Sequence, residues 1–158
     1  MSQLLDIHYI LKNDTNLAVP QENYIGKILV EESFFEGIVQ HKEEEFFIFG
    51  KFDLENSIEF VQSIPEVSFS YIMHGEKNGD HYDGEYFVQM PYWKRTSGDV
   101  TTIIGEEMSE NHPFEIEKMK ERLVPHREQL NKGCSQLYYV FKQQSVETHV
   151  YQKGYFKK

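Results

Sequence analysis

The sequence predicts a mainly β protein, an antiparallel sandwich or barrel with one helical insertion. Aromatic residues make up 15% of its 158 residues, and aromatic side chains favour strands. Short runs of strand character recur about every 8–12 residues with turn signals between them, as in sandwiches and barrels. Glycines lie inside several of these runs, where they let a strand bend sharply. The length is that of one domain, so residues 1–158 are predicted to form a single domain.

The first run shows the pattern most simply. Leu5, Ile7, Tyr9 and Leu11 alternate with polar residues, which predicts a strand with one buried face. The other predicted strands are residues 26–32, 34–40, 46–52 and 57–62, the two strands of a hairpin over residues 69–88, and residues 100–105. Residues 95–99 are predicted to be a turn from their composition.

The hairpin over residues 69–88 is predicted in most detail. Asn78 and Gly79 separate two alternating runs, which indicates a two-residue type I′ turn. That turn would place His74 opposite Asp83 and Tyr71 opposite Tyr86. One face would form core and the other would face solvent. The predicted core face comprises Phe69, Tyr71, Met73, Tyr82, Tyr86 and Val88; the predicted solvent face comprises Ser70, Ile72, His74, Glu76, His81, Asp83 and Glu85.

The inner face of this hairpin gives the candidate ligand site. A buried tyrosine hydroxyl requires a hydrogen-bond partner, so several converging tyrosines indicate either a polar network in a packed core or a ligand cavity. Both alternatives remain open from the sequence. The candidate ligand-binding residues are Tyr71, Met73, Tyr82, Tyr86 and Val88.

The outer face of the same hairpin gives a candidate metal site. In the predicted register His74 faces Asp83 and Glu76 faces His81. Two imidazoles and two carboxylates suit a divalent transition metal and could also act as an acid–base pair. The simpler interpretation is a set of stabilising surface ion pairs.

A helix is predicted over about residues 113–132. Pro113 is a good first helical residue, and Ile116, Met119 and Leu123 share one face. Pro125 is expected to end or kink this helix, with a second short piece continuing to residue 132. Two further strands, residues 137–142 and 146–151, are predicted to form a last hairpin after it.

Composition restricts the partners. The formal net charge of −10 disfavours binding to nucleic acid and suits a basic protein partner. The chain has no leader-like or membrane-spanning stretch and a single cysteine, Cys134, so we expect a cytoplasmic protein. Nucleotide-binding, hydrolase and metalloprotease motifs are absent, and no cofactor is predicted.

Three glycine-centred segments carry a family resemblance: Phe35-Glu-Gly-Ile, Ile48-Phe-Gly-Lys-Phe, and His81-Tyr-Asp-Gly-Glu-Tyr86. Together with the serial hairpins, they make the chain resemble the calycin superfamily of lipocalins, fatty-acid-binding proteins and avidins. The G-x-W signature of lipocalins is not present, since the only tryptophan is Trp93. The resemblance implies an up-and-down barrel of about eight to ten strands with its helix before the last hairpin, holding a small hydrophobic or amphipathic molecule.

Three hypotheses about function follow. The first is a barrel that binds a small apolar or aromatic ligand. The second is an acidic module, such as an inhibitor or immunity-type protein, that binds a basic protein partner. The third is an enzyme that uses the cluster of His74 and Asp83; the absence of catalytic motifs makes a non-enzyme the preferred interpretation.

Overall fold

The computed structural model describes residues 2–13, 21–53, 56–63, 70–90, 93–107 and 113–132. Eight antiparallel strands pair in chain order, and β8 returns to pair with β1, which closes an up-and-down barrel. The prediction of a mainly β, antiparallel barrel is therefore confirmed. The strands are β1 (Ser2–Asn13), β2 (Glu22–Glu31), β3 (Phe34–His41), β4 (Glu44–Phe52), β5 (Ser57–Ser63), β6 (Ser70–Asn78), β7 (His81–Met90) and β8 (Trp93–Glu107).

The barrel interior is the larger of two apolar clusters. Strand side chains alternate between faces, and all eight strands contribute inward-facing residues to this interior. Its largest fully buried members include Tyr9, Phe35, Phe60, Ile28, Ile48 and Met73. Eight strands enclose a space that side chains can fill, so the middle of this barrel is a packed core.

The second cluster lies on the outer wall, under the helix. Helix α1 (Pro113–Lys132) follows β8, and its Met119 and Leu123 are buried against the wall, with Ile116 partly buried. These are the residues predicted to share the apolar helix face. The wall residues in the cluster are Leu4, Leu29, Ile38, Phe47, Phe49, Val61 and Ile72.

Two ion pairs connect the helix to the wall. The Arg127 guanidinium donates to both carboxylate oxygens of Glu36, from Nε to Oε2 at 2.7 Å and from Nη2 to Oε1 at 2.5 Å. The Arg122 Nη2 atom donates to Glu45 Oε2 at 3.0 Å. Glu36 is buried although its side chain points outward, so the helix and this carboxylate depend on each other.

The predicted hairpin register is wrong by one turn position. Asn78 pairs with His81, so Gly79 and Asp80 are the two turn residues. Gly79 has a φ of +70°, and glycine at the first central position is typical of a type II′ turn. The observed register also places Gly75 opposite Gly84, where a Cβ atom on Gly84 would collide with the backbone of His74 and Gly75.

The register change alters the partners but preserves the faces. Moving the turn by one residue shifts each opposed pair by two, so the same residues still point inward. His74 is opposite Glu85 rather than Asp83, and Glu76 is opposite Asp83 rather than His81. The solvent prediction is wrong for Ile72, which is fully buried in the outer-wall cluster.

Two further predictions need correction. Residues 95–99 are not a turn but part of β8, which pairs with β7 through a register shift between Tyr86 and Phe87; Gly98, with a φ of +155°, accommodates this irregularity. The helix does not end at Pro125 but continues through it to Lys132. Phe69, Cys134 and the predicted strands 137–142 and 146–151 lie outside the described residues.

Candidate functional site

Polar and aromatic side chains converge at one end of the barrel interior. At this end β1, β3, β5 and β7 finish and the next strand in each case begins. We call it the tyrosine end and define it by Glu22, Tyr24, Tyr9, Gln62, Tyr71 and Tyr86. The alternation of each strand places all six on its inward-facing side.

The deepest polar contact joins Tyr9 and Gln62 across the barrel. The Tyr9 hydroxyl donates to Gln62 Oε1 at 2.5 Å, and both residues are completely buried. Among the described residues, no acceptor meets Gln62 Nε2 with full hydrogen-bond geometry, although this amide is close enough to the Tyr24 hydroxyl to lower its pKa. A buried donor without an acceptor loses free energy that a bonded group would retain. The amide nitrogen is therefore a group to which an incoming acceptor could bind.

Tyr24 lies at the same end of the barrel as this amide. Its ring stacks on Tyr9, with centroids 5.0 Å apart and planes at 12°, and His41 covers it at 4.8 Å. Its hydroxyl donates to Glu22 Oε1 at 2.8 Å. Burial and this carboxylate raise the pKa of Tyr24 far above the usual value of a tyrosine, although the nearby Gln62 amide lowers it.

Tyr71 and Tyr86 line the opposite side of this end. Their rings meet edge to face with centroids 5.8 Å apart, and Tyr71 is only half-buried. Val88 is opposite Tyr71 on the neighbouring strand and is also half-buried. Burial, and then the charge of Glu22, raise the pKa of Tyr71, so its hydroxyl is neutral at physiological pH.

The structure separates the five predicted ligand-binding residues. Tyr71, Tyr86 and Val88 belong to the tyrosine end, and Met73, opposite Tyr86, is buried beside them. Tyr82 lies towards the other end of the barrel. Its ring receives the Lys77 ammonium at 4.8 Å, and its hydroxyl donates to the Asp53 carbonyl at 3.4 Å.

Four residues of the tyrosine end were not predicted as site residues. Tyr9 and Tyr24 sit at inward positions of β1 and β2, and the alternation around Tyr9 contained that signal. Gln62 and Glu22 carried no such signal in the sequence. A polar residue in a strand is normally assigned to the solvent-facing side, and only the closed barrel shows that these two point inward.

The predicted metal-binding residues form separate contacts on the outer face. The His81 ring bridges Asp80 at 2.9 Å and Asp83 at 3.1 Å, while His74 approaches the buried carboxylate of Glu59 at 3.4 Å. Hydrogen bonding to Asp80 is the main reason that the pKa of His81 is raised. Across the described ranges no group of three or more His, Cys, Asp or Glu side chains is arranged to hold a metal ion.

Comparison with known proteins does not assign this chain to a family. No protein-family model matches this sequence, and no curated protein matches it significantly. In the described part of the chain, no helix combines the length and apolar character needed to cross a membrane.

Proposed function

We propose that this protein is a calycin-type barrel that binds a small aromatic or amphipathic molecule at the tyrosine end. The observation that carries the proposal is the completely buried Gln62 amide, whose Nε2 atom meets no acceptor with full hydrogen-bond geometry among the described residues. A ligand acceptor would satisfy this donor, and small-molecule sites typically combine aromatic walls with a few placed polar groups.

The same contacts limit where the ligand lies. Phe35, Phe60 and Met73 fill the middle of the barrel and are fully buried. Tyr71 and Val88 are half-buried at the tyrosine end. The ligand is therefore expected to enter from the tyrosine end and to stop at Gln62, with its apolar body against Tyr71 and Tyr86.

Binding of p-cresol tests this placement, because it combines one ring with one hydroxyl. We expect titration by NMR to shift signals of the tyrosine end. Gln62→Leu should weaken binding about fivefold through the loss of one hydrogen bond. Tyr82→Phe, at the other end, is the matched control and should bind as the wild type does. Equal binding by all three proteins would contradict the proposed site.

A second candidate function is association with a basic protein. On the outer face Glu76 is opposite Asp83 and Glu85 is opposite Asp99, and all four are exposed. Like charges directly opposite each other destabilise a sheet, and a cationic partner would relieve this repulsion.

An oligolysine peptide is the probe for this second function. Its binding should weaken steeply with added salt and should be lost when Glu76 and Glu85 are both changed to Gln. The control changes Glu43 and Glu44, in the β3–β4 turn region, to Gln. If the control loses as much binding, the charge of the whole protein rather than this face attracts the peptide.

A further inference from the structure

We infer that the ligand of the tyrosine end carries a positive charge, and that its class is an aromatic or alkyl amine rather than a fatty acid or another carboxylate. This inference rests on the proposed function and adds the sign of the ligand's charge. It follows from Glu22, from the aromatic rings around it, and from the described cations near this end.

Glu22 is positioned to act on the interior of the barrel. It is the first residue of β2, two residues before the buried Tyr24, and strand alternation therefore points both inward. Its carboxylate is half-buried and is held by the Tyr24 hydroxyl at 2.8 Å. Its charge acts on Tyr9, Tyr24 and Tyr71, since it raises the pKa of all three. One carboxylate thus sets a negative potential over this end.

The aromatic rings reinforce that potential. Tyr24 contacts Tyr9, His41 and Phe46, with centroid distances of 5.0, 4.8 and 5.7 Å. The face of an aromatic ring is electrically negative and attracts ammonium groups, especially where water is partly excluded. A half-buried carboxylate beside several rings is the arrangement that recognises an amine.

The described lysines near this end, Lys12 and Lys42, do not offset this charge from inside the barrel. Lys12 is exposed on the outer face, where its strand position is opposite Asp99, and Lys42 is exposed in the β3–β4 turn. Among the described inward-facing side chains at this end, none is Lys or Arg. The His41 ring is engaged through Nδ1 with the Asn23 carbonyl at 2.9 Å. Glu22 therefore opposes a carboxylate ligand, whereas Arg95, whose strand position on β8 is opposite Val88, is the position from which a cation could favour one.

Three probes with the same phenol ring separate charge from shape: tyramine is cationic, p-cresol is neutral and 4-hydroxyphenylacetate is anionic. We expect tyramine to bind about tenfold more tightly than p-cresol, the size of a partly screened contact with a carboxylate and a ring. The anion should bind most weakly. In Glu22→Gln the advantage of tyramine should fall to about twofold or less. In the control Glu31→Gln, at the other end of the same strand, it should persist.

The outcomes distinguish this inference from the function on which it rests. If p-cresol binds in a Gln62-dependent manner but tyramine binds no more tightly than p-cresol, the site exists and its preference for cations is refuted. Tightest binding by 4-hydroxyphenylacetate would refute that preference too. An advantage of tyramine that survives Glu22→Gln would refute the role of Glu22. Failure of all three probes to bind would refute both the inference and the proposed function.

Discussion

At the scale of single residues, the attachment of α1 depends on the pair of Arg127 and Glu36. The Glu36 side chain is only 8% exposed, and Arg127 is 32% exposed. Arg127→Ala would leave a buried carboxylate without its cation, so we expect a loss of about 2 kcal/mol in the free energy of unfolding. Chemical denaturation measures this loss.

Arg122→Ala is the matched control for this prediction. Arg122 lies on the same helix and pairs with Glu45, but both partners of that pair are nearly half exposed. Its removal should change the free energy of unfolding by less than about 0.5 kcal/mol. Equal effects of the two substitutions would show that charge on the helix, rather than the buried pair, stabilises its docking.

His126 should make the docked helix sensitive to pH. Its ring stacks on Phe47, with centroids 5.5 Å apart and planes at 5°. Burial lowers its pKa, while Glu45 opposes this change and Arg122 adds to it. Because the folded pKa lies below the unfolded one, this group's stabilising contribution is complete above about pH 6.5 and decreases as the pH falls from there towards the folded pKa.

Denaturation at about pH 7.5 and pH 5 measures this contribution. His126→Phe keeps a ring on Phe47 and removes the titration, so this variant should lose less stability on acidification than the wild type. His8→Gln, which changes a histidine bonded to Asn23 away from the helix, should behave like the wild type. Identical acid sensitivity of the wild type and His126→Phe would refute the prediction.

At the scale of elements, the register of the β6–β7 hairpin depends on a close approach of backbones. A Cβ atom on Gly84 would lie 1.8 Å from the carbonyl oxygen of His74 and 2.7 Å from the α-carbon of Gly75. Neither backbone atom can move away without breaking the ladder. Gly84→Ala should therefore destabilise the protein by about 3 kcal/mol or more, or prevent folding.

Gly79→Ala is the comparison for this prediction. A Cβ atom there would meet nothing within 4 Å, and only the positive φ of +70° opposes it. We expect a loss of about 1 kcal/mol. Circular dichroism and thermal melts of both variants measure the difference. A Gly84→Ala protein as stable as Gly79→Ala would mean that the observed pairing of Gly75 with Gly84 is wrong.

The same hairpin shows what could be predicted from the sequence. Alternation of apolar and polar residues identified the inward face correctly, because that face depends only on the period of a strand. The register required a choice between Asn78-Gly79 and Gly79-Asp80 as the turn, and both suit a two-residue loop. The observed register is the one that pairs Gly75 with Gly84. The close approach of these two backbones can be seen only in the three-dimensional structure.

The candidate site was predictable only in part for a related reason. Tyr71 and Tyr86 were identified because they lie on one hairpin. Tyr9 and Gln62 come from strands 53 positions apart in sequence, and they meet only when the barrel closes. The burial of Ile72 could not be predicted either. The helix that carries Met119 packs on this part of the wall only in the tertiary structure.

At the scale of the whole molecule, the barrel should keep its tyrosines protonated in alkali. The pKa is raised mainly by burial for Tyr9, Tyr24, Tyr71 and Tyr82. Since the folded values exceed the unfolded value of about 10, stability should fall as the pH rises above about 10. The tyrosinate absorbance of these four residues should therefore appear together with unfolding.

Substitution of Tyr24 by Phe should reduce the absorbance change that accompanies unfolding. Circular dichroism measured over the same pH range gives the pH at which the barrel unfolds. If all tyrosines titrate near pH 10 while the barrel remains folded, the tyrosine end is open to water, and it cannot exclude solvent around a ligand as proposed.

The central claim is that a closed barrel with a filled middle uses its tyrosine end to bind a small molecule. Native mass spectrometry of protein purified from its host, on the wild type and on Gln62→Leu, tests it most directly. We predict an additional organic mass on the wild-type chain that is diminished or absent on the variant. The bare polypeptide mass in both preparations would contradict the claim and favour the acidic outer face as the functional surface.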